Sequence, residues 1–491
     1  MSGGVCHKAF GFIHVIFAAL LFCIGLAVLP SRFFGSFFLF AESPMALLVF
    51  LGGIQLTVAL IIFIITYILM LAFQKYRPFI ALGSALIYII LGTCGMFDMS
   101  ILSALKAVDY NVLLMIGGTM GTVTLFVESK MPARLSELLI SKVPNVLWAV
   151  TALSLFAGII SAFVDNVATV LMVAPIGLAI SKKLKISPVP VIISIAVSSN
   201  LQGAATLVGD TTSILLGSAA DMNFLDFFWM EGKPGIFFAT ECGALASVVA
   251  LLFIFRKDKG AVDAKVETTV EDYVPSILMI LTVVLLIFAS FIPAPEGGAL
   301  LVLYNLRSGL ICFALCVFGV IYECAKGRNH DPLKKVFVEL DTETLLLLFG
   351  LFIIIEGITA AGVIDAIAEL FYKIAGDNPT LLYLLIVGAS VILSAFIDNI
   401  PYVATMLPVV SSLAAMMGCE PYVFYFGLLI GATLGGNLTP IGASANIAGI
   451  GILRKNGETV TTKDFLRIGV PFTLAAVVVG AAFTWIVWGI H

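Results

Sequence analysis

Two fifteen-residue stretches of this chain repeat one pattern. SAFVDNVATVLMVAP begins at Ser161 and SAFIDNIPYVATMLP at Ser394, and each sets an Asp-Asn pair, Asp165-Asn166 and Asp398-Asn399, inside an otherwise apolar run. The same offset of 233 residues (398 − 165) aligns Leu201, Gly203, Thr206, Gly209 and Ile214 with Leu434, Gly436, Thr439, Gly442 and Ile447 without a gap. One constant offset through two separate motifs marks an internal duplication. Apolar segments that are duplicated and broken by Gly and polar residues are how secondary transporters build a site near the bilayer midplane. The pattern therefore predicts an all-α, membrane-embedded chain made of two related halves.

Composition points to the same solvent. With 61% hydrophobic and 11% charged residues over 491 positions, the chain has too little polar surface to cover a water-soluble globule. The net charge of −4 is small and the basic residues sit in short loops, so no nucleic-acid partner is expected. The eight cysteines form no CxxC pair. Cys312 and Cys316, one helical turn apart, read as packing, and the histidines (His7, His14, His330, His491) are scattered, so no metal centre, redox role or cofactor is expected. The run 9–30 lacks a small-residue cleavage site and reads as a retained first span.

A span needs about 20 apolar residues. Runs that qualify lie at 9–30, 44–73, 78–96, 108–127, 235–255, 272–293, 299–323, 341–363 and 464–490, and four broken segments lie at 146–181, 188–218, 381–416 and 421–452. Cytoplasmic loops are enriched in Lys and Arg. Six basic clusters, from Lys75/Arg77 to Arg454/Lys455/Lys463, fall on one face only if 146–181 enters and leaves from the cytoplasm and 381–416 from outside. This predicts about 11 transmembrane helices plus two hairpins, the N-terminus inside, the C-terminus outside, and the halves inverted in the membrane. The expected organisation is scaffold spans over 1–107, a first repeat over 108–255, a cytoplasmic linker over 256–271, further scaffold spans over 272–340 and a second repeat over 341–491, with 364–380 a loop.

An ionised Asp near the bilayer centre costs at least about 2.5 kcal/mol on insertion scales, so Asp165, Asp210 and Asp398 are functional candidates. The breaks NLQGAATLVGDTTS (Asn200 to Ser213) and GGNLTPIGASAN (Gly435 to Asn446) hold too much Gly, Thr, Ser and Asn for continuous helix. Irregular backbone at such depth survives only where it is buried in protein or lines a cavity. Gly203, Gly209, Gly436 and Gly442 are the candidate backbone hinges. Asn166, Asn200, Thr206, Thr212, Ser213, Asn399, Asn437, Thr439, Ser444 and Asn446 join the carboxylates as hard oxygen ligands suited to a small cation, with sodium expected at Asp165, Asn166, Asp398 and Asn399. No Lys or Arg lies in these segments. The copies differ, since Asp210 aligns with Ala443 and Ala168 with Pro401, so the first half is the more acidic. Glu128, Glu241, Arg307 and Glu356, within or beside apolar runs, read as pairing or interface residues.

The motifs SAFVDNVATVLMVAP, SAFIDNIPYVATMLP, ATLVGDTTS and GATLGGNLTPIGASANIAGIG resemble the ion transporter superfamily, most closely its arsenical-permease, sodium/proton-antiporter D and P-protein-like branch. The resemblance implies a fold shared with the divalent anion:sodium symporters. That fold has a scaffold domain that commonly dimerises, and a transport domain built from two re-entrant hairpins and two unwound helices that moves as an elevator. In the dicarboxylate branch the tips read Ser-Asn-Thr; here they read Asp165-Asn166-Val167 and Asp398-Asn399-Ile400. The added negative charge repels an anion unless it is protonated or neutralised by bound cations. Gly209-Asp210-Thr211-Thr212 is similar to the Gly-Asp-x-Thr-Thr pattern of the antiporters, one residue shorter. The expected activity is sodium/proton antiport across the inner (plasma) membrane by a homodimer, with sodium and protons as coupling ions. The alternative is a sodium- or proton-coupled permease for an inorganic or organic anion or arsenite. Intramembrane aspartyl proteases need Tyr-Asp and Gly-x-Gly-Asp signatures, which are missing, so no enzyme is expected.

Overall fold

The structure, a computed structural model, describes residues 44–184, 186–257, 260, 268–326 and 340–489. The expected span at 9–30, Cys6, Cys23, the four histidines and most of the 256–271 linker lie outside these residues.

Among the described residues the chain is helical apart from a ribbon pairing Trp229–Met230 with Lys233–Pro234. In order the helices are α1 Pro44–Ala72, α2 Arg77–Thr93, α3 Ile101–Lys106, α4 Tyr110–Glu128, α5 Met131–Ile140, α6 Val146–Ser161, α7 Asn166–Leu184, α8 Pro188–Gly203, α9 Thr211–Ala219 and α10 Ile236–Ile254. Then come α11 Val274–Ser290, α12 Ala299–Asn305, α13 Arg307–Ala325, α14 Thr342–Ala360, α15 Val363–Ala375, α16 Pro379–Ser394, α17 Asn399–Met417, α18 Tyr422–Gly435, α19 Ser444–Lys455 and α20 Thr462–Trp488. Nine described helices are long and apolar enough to cross a membrane. Two of the nine, Asn166–Lys183 and Asn399–Met417, are second arms of the hairpins, so the chain is a polytopic membrane protein.

The 233-residue offset runs through all seven helices of each half, α4–α10 against α14–α20. Small signals repeat with it. The side chains of Asn145 and Asn378, 233 apart, cap α6 and α16 by accepting the N–H groups of Trp148 (3.2 Å) and Leu381 (3.1 Å). Pro175 and Pro408, likewise 233 apart, stand inside α7 and α17, where each removes one helical hydrogen bond.

Two places differ from the sequence expectation. The segment taken as a loop after 363 is the amphipathic helix α15, counterpart of the short α5; both are too short to register as spans. The span expected over 299–323 is divided at Leu306 into α12 and α13.

The helices form two compact units. The first joins the described residues from Pro44 to Val108 with Phe349–Ala366. In it the Tyr88 hydroxyl donates to the Ala59 carbonyl at 2.7 Å, Thr66 and Ser84 share a 2.7 Å hydrogen bond, and the Tyr88 ring lies against Gly357, where a Cβ would collide with it. The second unit joins Asp109–Leu348 with the chain from Ile367 and holds both hairpins and both breaks.

Within the second unit α10 packs along α20. Gly243 lies against Ala476, its own counterpart, with 2.9 Å between a Cβ built on Gly243 and the Ala476 carbonyl oxygen. Ser247 donates to the Phe472 carbonyl at 3.1 Å, and Gly480 sits against the Ala239 carbonyl. Exchanging the halves turns the pair 247/472 into 480/239, so these contacts obey a two-fold exchange. At the start of α11 the Asp272 carboxylate accepts the Val274 N–H at 2.9 Å and pairs with Lys326. Burial pushes this carboxyl up, but the Lys326 and Val274 hydrogen bonds outweigh it and hold it below its ordinary value.

Candidate functional site

Each hairpin turns over four residues, 162–165 and 395–398, and its second arm starts at the Asn of the Asp-Asn pair. The Asp side chain supplies the start signal. Asp165 accepts the N–H groups of Val167 (3.0 Å) and Ala168 (3.1 Å), and Asp398 accepts that of Ile400 (3.2 Å). Each carboxylate thus takes up orphan donors of a helix start whose partial positive charge favours an anion. Asp165 is half-buried and Asp398 buried.

The two breaks, 204–210 and 436–443, are seated on the hairpin turns by a matched set of contacts. Thr206 donates its hydroxyl to the Ala162 carbonyl, and its counterpart Thr439 donates to the Ala395 carbonyl. Gly209 presses so closely that a Cβ would stand 2.5 Å from the Gly203 oxygen and 2.7 Å from those of Ala162 and Ser161. A Cβ at Gly442 would stand 2.6 Å from the Gly436 oxygen and 2.8 Å from that of Ala395. Only glycine fits at either position, because the atoms in the way are backbone. The following helices start by bonding back to their own breaks: Ser213 donates to the Gly203 carbonyl at 3.4 Å. Its counterpart Asn446 donates to the carbonyls of Gly436 (3.1 Å) and Thr439 (3.2 Å).

A polar chain then ties both halves together. The Asn166 amide donates to Asn200 at 2.9 Å, and the Asn200 amide donates to the Thr433 carbonyl at 2.6 Å and to Asn437 at 3.1 Å. Asn437 donates onward to the Val197 carbonyl at 2.9 Å. On the other side Thr212 donates to Asp210 at 2.8 Å and shares a 3.1 Å hydrogen bond with Thr433. Asn399 reaches Asp210 at 3.4 Å, and Ser444 donates to Asp398 at 3.2 Å. Each hairpin's Asn therefore contacts the first break helix pair, while Asp398 contacts the second. Asp165 and Asp398 both lie within coulombic range of Asp210.

All thirteen polar residues singled out from the sequence fall in or beside this network. Thr433 and Ser199 belong to it as well and were not anticipated. Ser199 bridges the Asn166 carbonyl at 2.9 Å and Ser161 at 3.1 Å. Thr433 was legible, since it is the 233-offset counterpart of Asn200. The network presents carboxylate, amide, hydroxyl and carbonyl oxygens, and α7–α9 and α17–α19 contribute no Lys or Arg to it. The oxygen of the Asn446 side chain is buried with no hydrogen-bond partner.

Comparison with known proteins places this architecture. A family profile described as citrate transporter (CitMHS) matches residues 58–323 and 300–489. An uncharacterized transporter of Mycobacterium tuberculosis strain H37Rv is 30% identical over 447 residues, covering 87% of this chain and 98% of the relative. The P protein of Homo sapiens is 25% identical over 467 residues, covering 78% of this chain and 54% of the relative. Among solved structures, the Alcanivorax borkumensis YdaH transporter superposes with a TM-score of 0.54 at 14% identity, covering 78% of this chain and 87% of that one. Neisseria gonorrhoeae MtrF, described among antimetabolite efflux pumps, gives 0.54 at 15% identity, covering 83% and 85%. These two likenesses show the fold. With its profile matched over nearly the whole described chain, the protein belongs to the citrate transporter family, CitMHS.

Proposed function

We propose that this secondary transporter exchanges sodium for protons, with Asp165 and Asp398 each binding a cation in one phase of the cycle and a proton in the other. The observation that carries the reading is the donor set. Carboxylate, amide and hydroxyl oxygens gathered at the two turns and breaks, with no basic side chain among them, suit a small hard cation. The unpartnered Asn446 oxygen supports it, because a buried acceptor left without a donor costs about 1–3 kcal/mol unless a ligand takes it up. Asn166, Asn200, Thr206, Asp210, Thr212, Ser213, Asn399, Asn437, Thr439 and Ser444 complete the shell. On the same reading the hairpins and breaks within 108–255 and 341–491 belong to a moving body that works as an elevator against a scaffold, in a homodimer of the inner membrane.

A second reading is favoured by the family itself. A citrate-like anion brought to this all-acidic site must arrive with cations or protons that cancel the repulsion, and the same oxygens would then hold the accompanying cation.

Proteoliposomes holding a pH-sensitive dye separate the two. Antiport predicts proton movement on adding sodium alone, and D165N and D398N each weaken apparent sodium affinity at least about tenfold, equivalent to about 1.4 kcal/mol. Sodium-driven proton flux absent from acid to alkaline pH, together with uptake of labelled citrate that needs a cation, would replace the first reading with the second.

A further inference from the structure

Behind the first hairpin lies a second acidic position that the ion site does not use. Glu241, in the second turn of α10, accepts the Gln202 amide N–H at 3.4 Å. Gln202 is fully buried in the last turn of α8, two residues beyond Asn200 and next to the hinge Gly203. Its amide oxygen has no partner. That oxygen rests on Gly158 of α6, where any Cβ would collide with it. On the same face of α6, one and two turns back, the hydroxyls of Ser154 and Thr151 are also buried without partners.

None of this exists in the second half. Gln202, Glu241 and Ser154 align with Gly435, Leu474 and Val387. The glycine has changed places too. Where Gly158 makes room for Gln202, the counterpart Val391 lies against Gly435, so one site packs apolar and the other keeps a polar pair. Replacing both polar partners with apolar ones is nearly neutral, whereas retaining a half-satisfied amide in a buried position is costly without a use.

We propose that Glu241 and Gln202 form a second proton-binding site, a coupling site distinct from the hairpin turns, whose occupancy is passed to the first break through Gln202. The chemistry is in the amide. An ionised Glu241 accepts from the Gln202 nitrogen, as observed; a protonated Glu241 is itself a donor, and the unpartnered Gln202 oxygen is the acceptor within reach. Taking up a proton therefore reverses the hydrogen bond and turns the amide at the end of α8, one residue from the hinge. Among the described residues, the helices packed on α10 bring no other charge to Glu241. The elements packed on α10 are α6, α8 and α20; α6 and α8 carry no ionisable side chain, and the charges of α20 are Lys463, Asp464 and Arg467 in its first two turns. The antiparallel pairing of 239 with 480 and 247 with 472 puts those three at the far end of α10. On α10 itself the neighbouring titratable group is Cys242, and Lys233, before the helix, packs over the Trp488 ring at 5.0 Å.

The inference rests on proton coupling in the proposed function, so its test has one readout that does not need transport. Infrared difference spectra of the purified full-length protein between acid and alkaline pH are expected to contain a protonated-carboxyl band that E241Q loses and Q202L shifts. In proteoliposomes E241Q retains the sodium-induced thermal shift, moves one proton fewer per cycle, and loses pH dependence that E241D keeps. If E241Q does not fold, G158A, which displaces the amide while leaving Glu241 in place, carries the test through the same band shift. Identical spectra and identical proton counts in wild type and variants would overturn the inference. Absent sodium-driven flux in the wild type, with the band still lost in E241Q, would instead count against antiport alone.

Discussion

A single methyl group added to Gly209 or Gly442 meets carbonyl oxygens at 2.5 and 2.6 Å, and neither break can retreat, because the hydroxyls of Thr206 and Thr439 hold it to the hairpin. G209A and G442A are each expected to destabilise the protein by about 1–3 kcal/mol and to abolish the sodium-induced rise in melting temperature. G388A is the control, because nothing stands within 4 Å of its Cβ position and Ala favours helix by up to about 1 kcal/mol. It should melt no lower than wild type. At this scale the Asp and Asn residues were legible because polar groups in apolar runs stand out and the duplication presented them twice. Thr433 is marked only by its offset from Asn200, because a lone threonine in a helix ordinarily satisfies itself on its own backbone and does not stand out. Gln202 does not stand out within its break and Glu241 reads as a pairing or interface residue, because no repeat partner draws attention to either.

The hairpins read at 146–181 and 381–416 correspond to helices over 146–184 and 379–417, and the breaks read at 200–213 and 435–446 narrow to 204–210 and 436–443, since Asp, Asn, Pro and Gly punctuate them chemically. The short helices α5 and α15 were missed for the opposite reason: lying outside the apolar runs, they give no hydropathy signal, and only their amphipathic pattern marks them. Caps at this level have measurable worth. N145A and N378A should each lower stability by about 1 kcal/mol, and by similar amounts, as matched positions require. The pair at the start of α11 makes a pH prediction. Asp272 is held below its ordinary value in the folded protein, so its contribution is complete above the unfolded carboxylate pKa of about 3.9 and fades as pH falls through the lower folded value. The melting temperature of D272N should therefore lie below that of wild type at neutral pH, and the two curves should converge on acidification.

For the molecule as a whole, the sequence offset foretold two halves, and the exchange of contacts between α10 and α20 gives that duplication a spatial form. If hairpins, breaks, α10 and α20 travel together, joining them should not stop the cycle. A239C/G480C, placed where Gly480 meets the Ala239 carbonyl, is expected to cross-link under mild oxidation and to keep most of its transport rate. Transport that stops on cross-linking and returns on reduction would show that these helices must separate, and the elevator would have to be abandoned. The seating of each glycine on hairpin carbonyls carries one more consequence. A hairpin that swung away alone would strip several backbone oxygens of their neighbours in a setting where water cannot replace them. On the proposed reading, an ion would then leave with the turn and the loop that clasps it carried together, still joined, rather than by one hairpin opening as a flap.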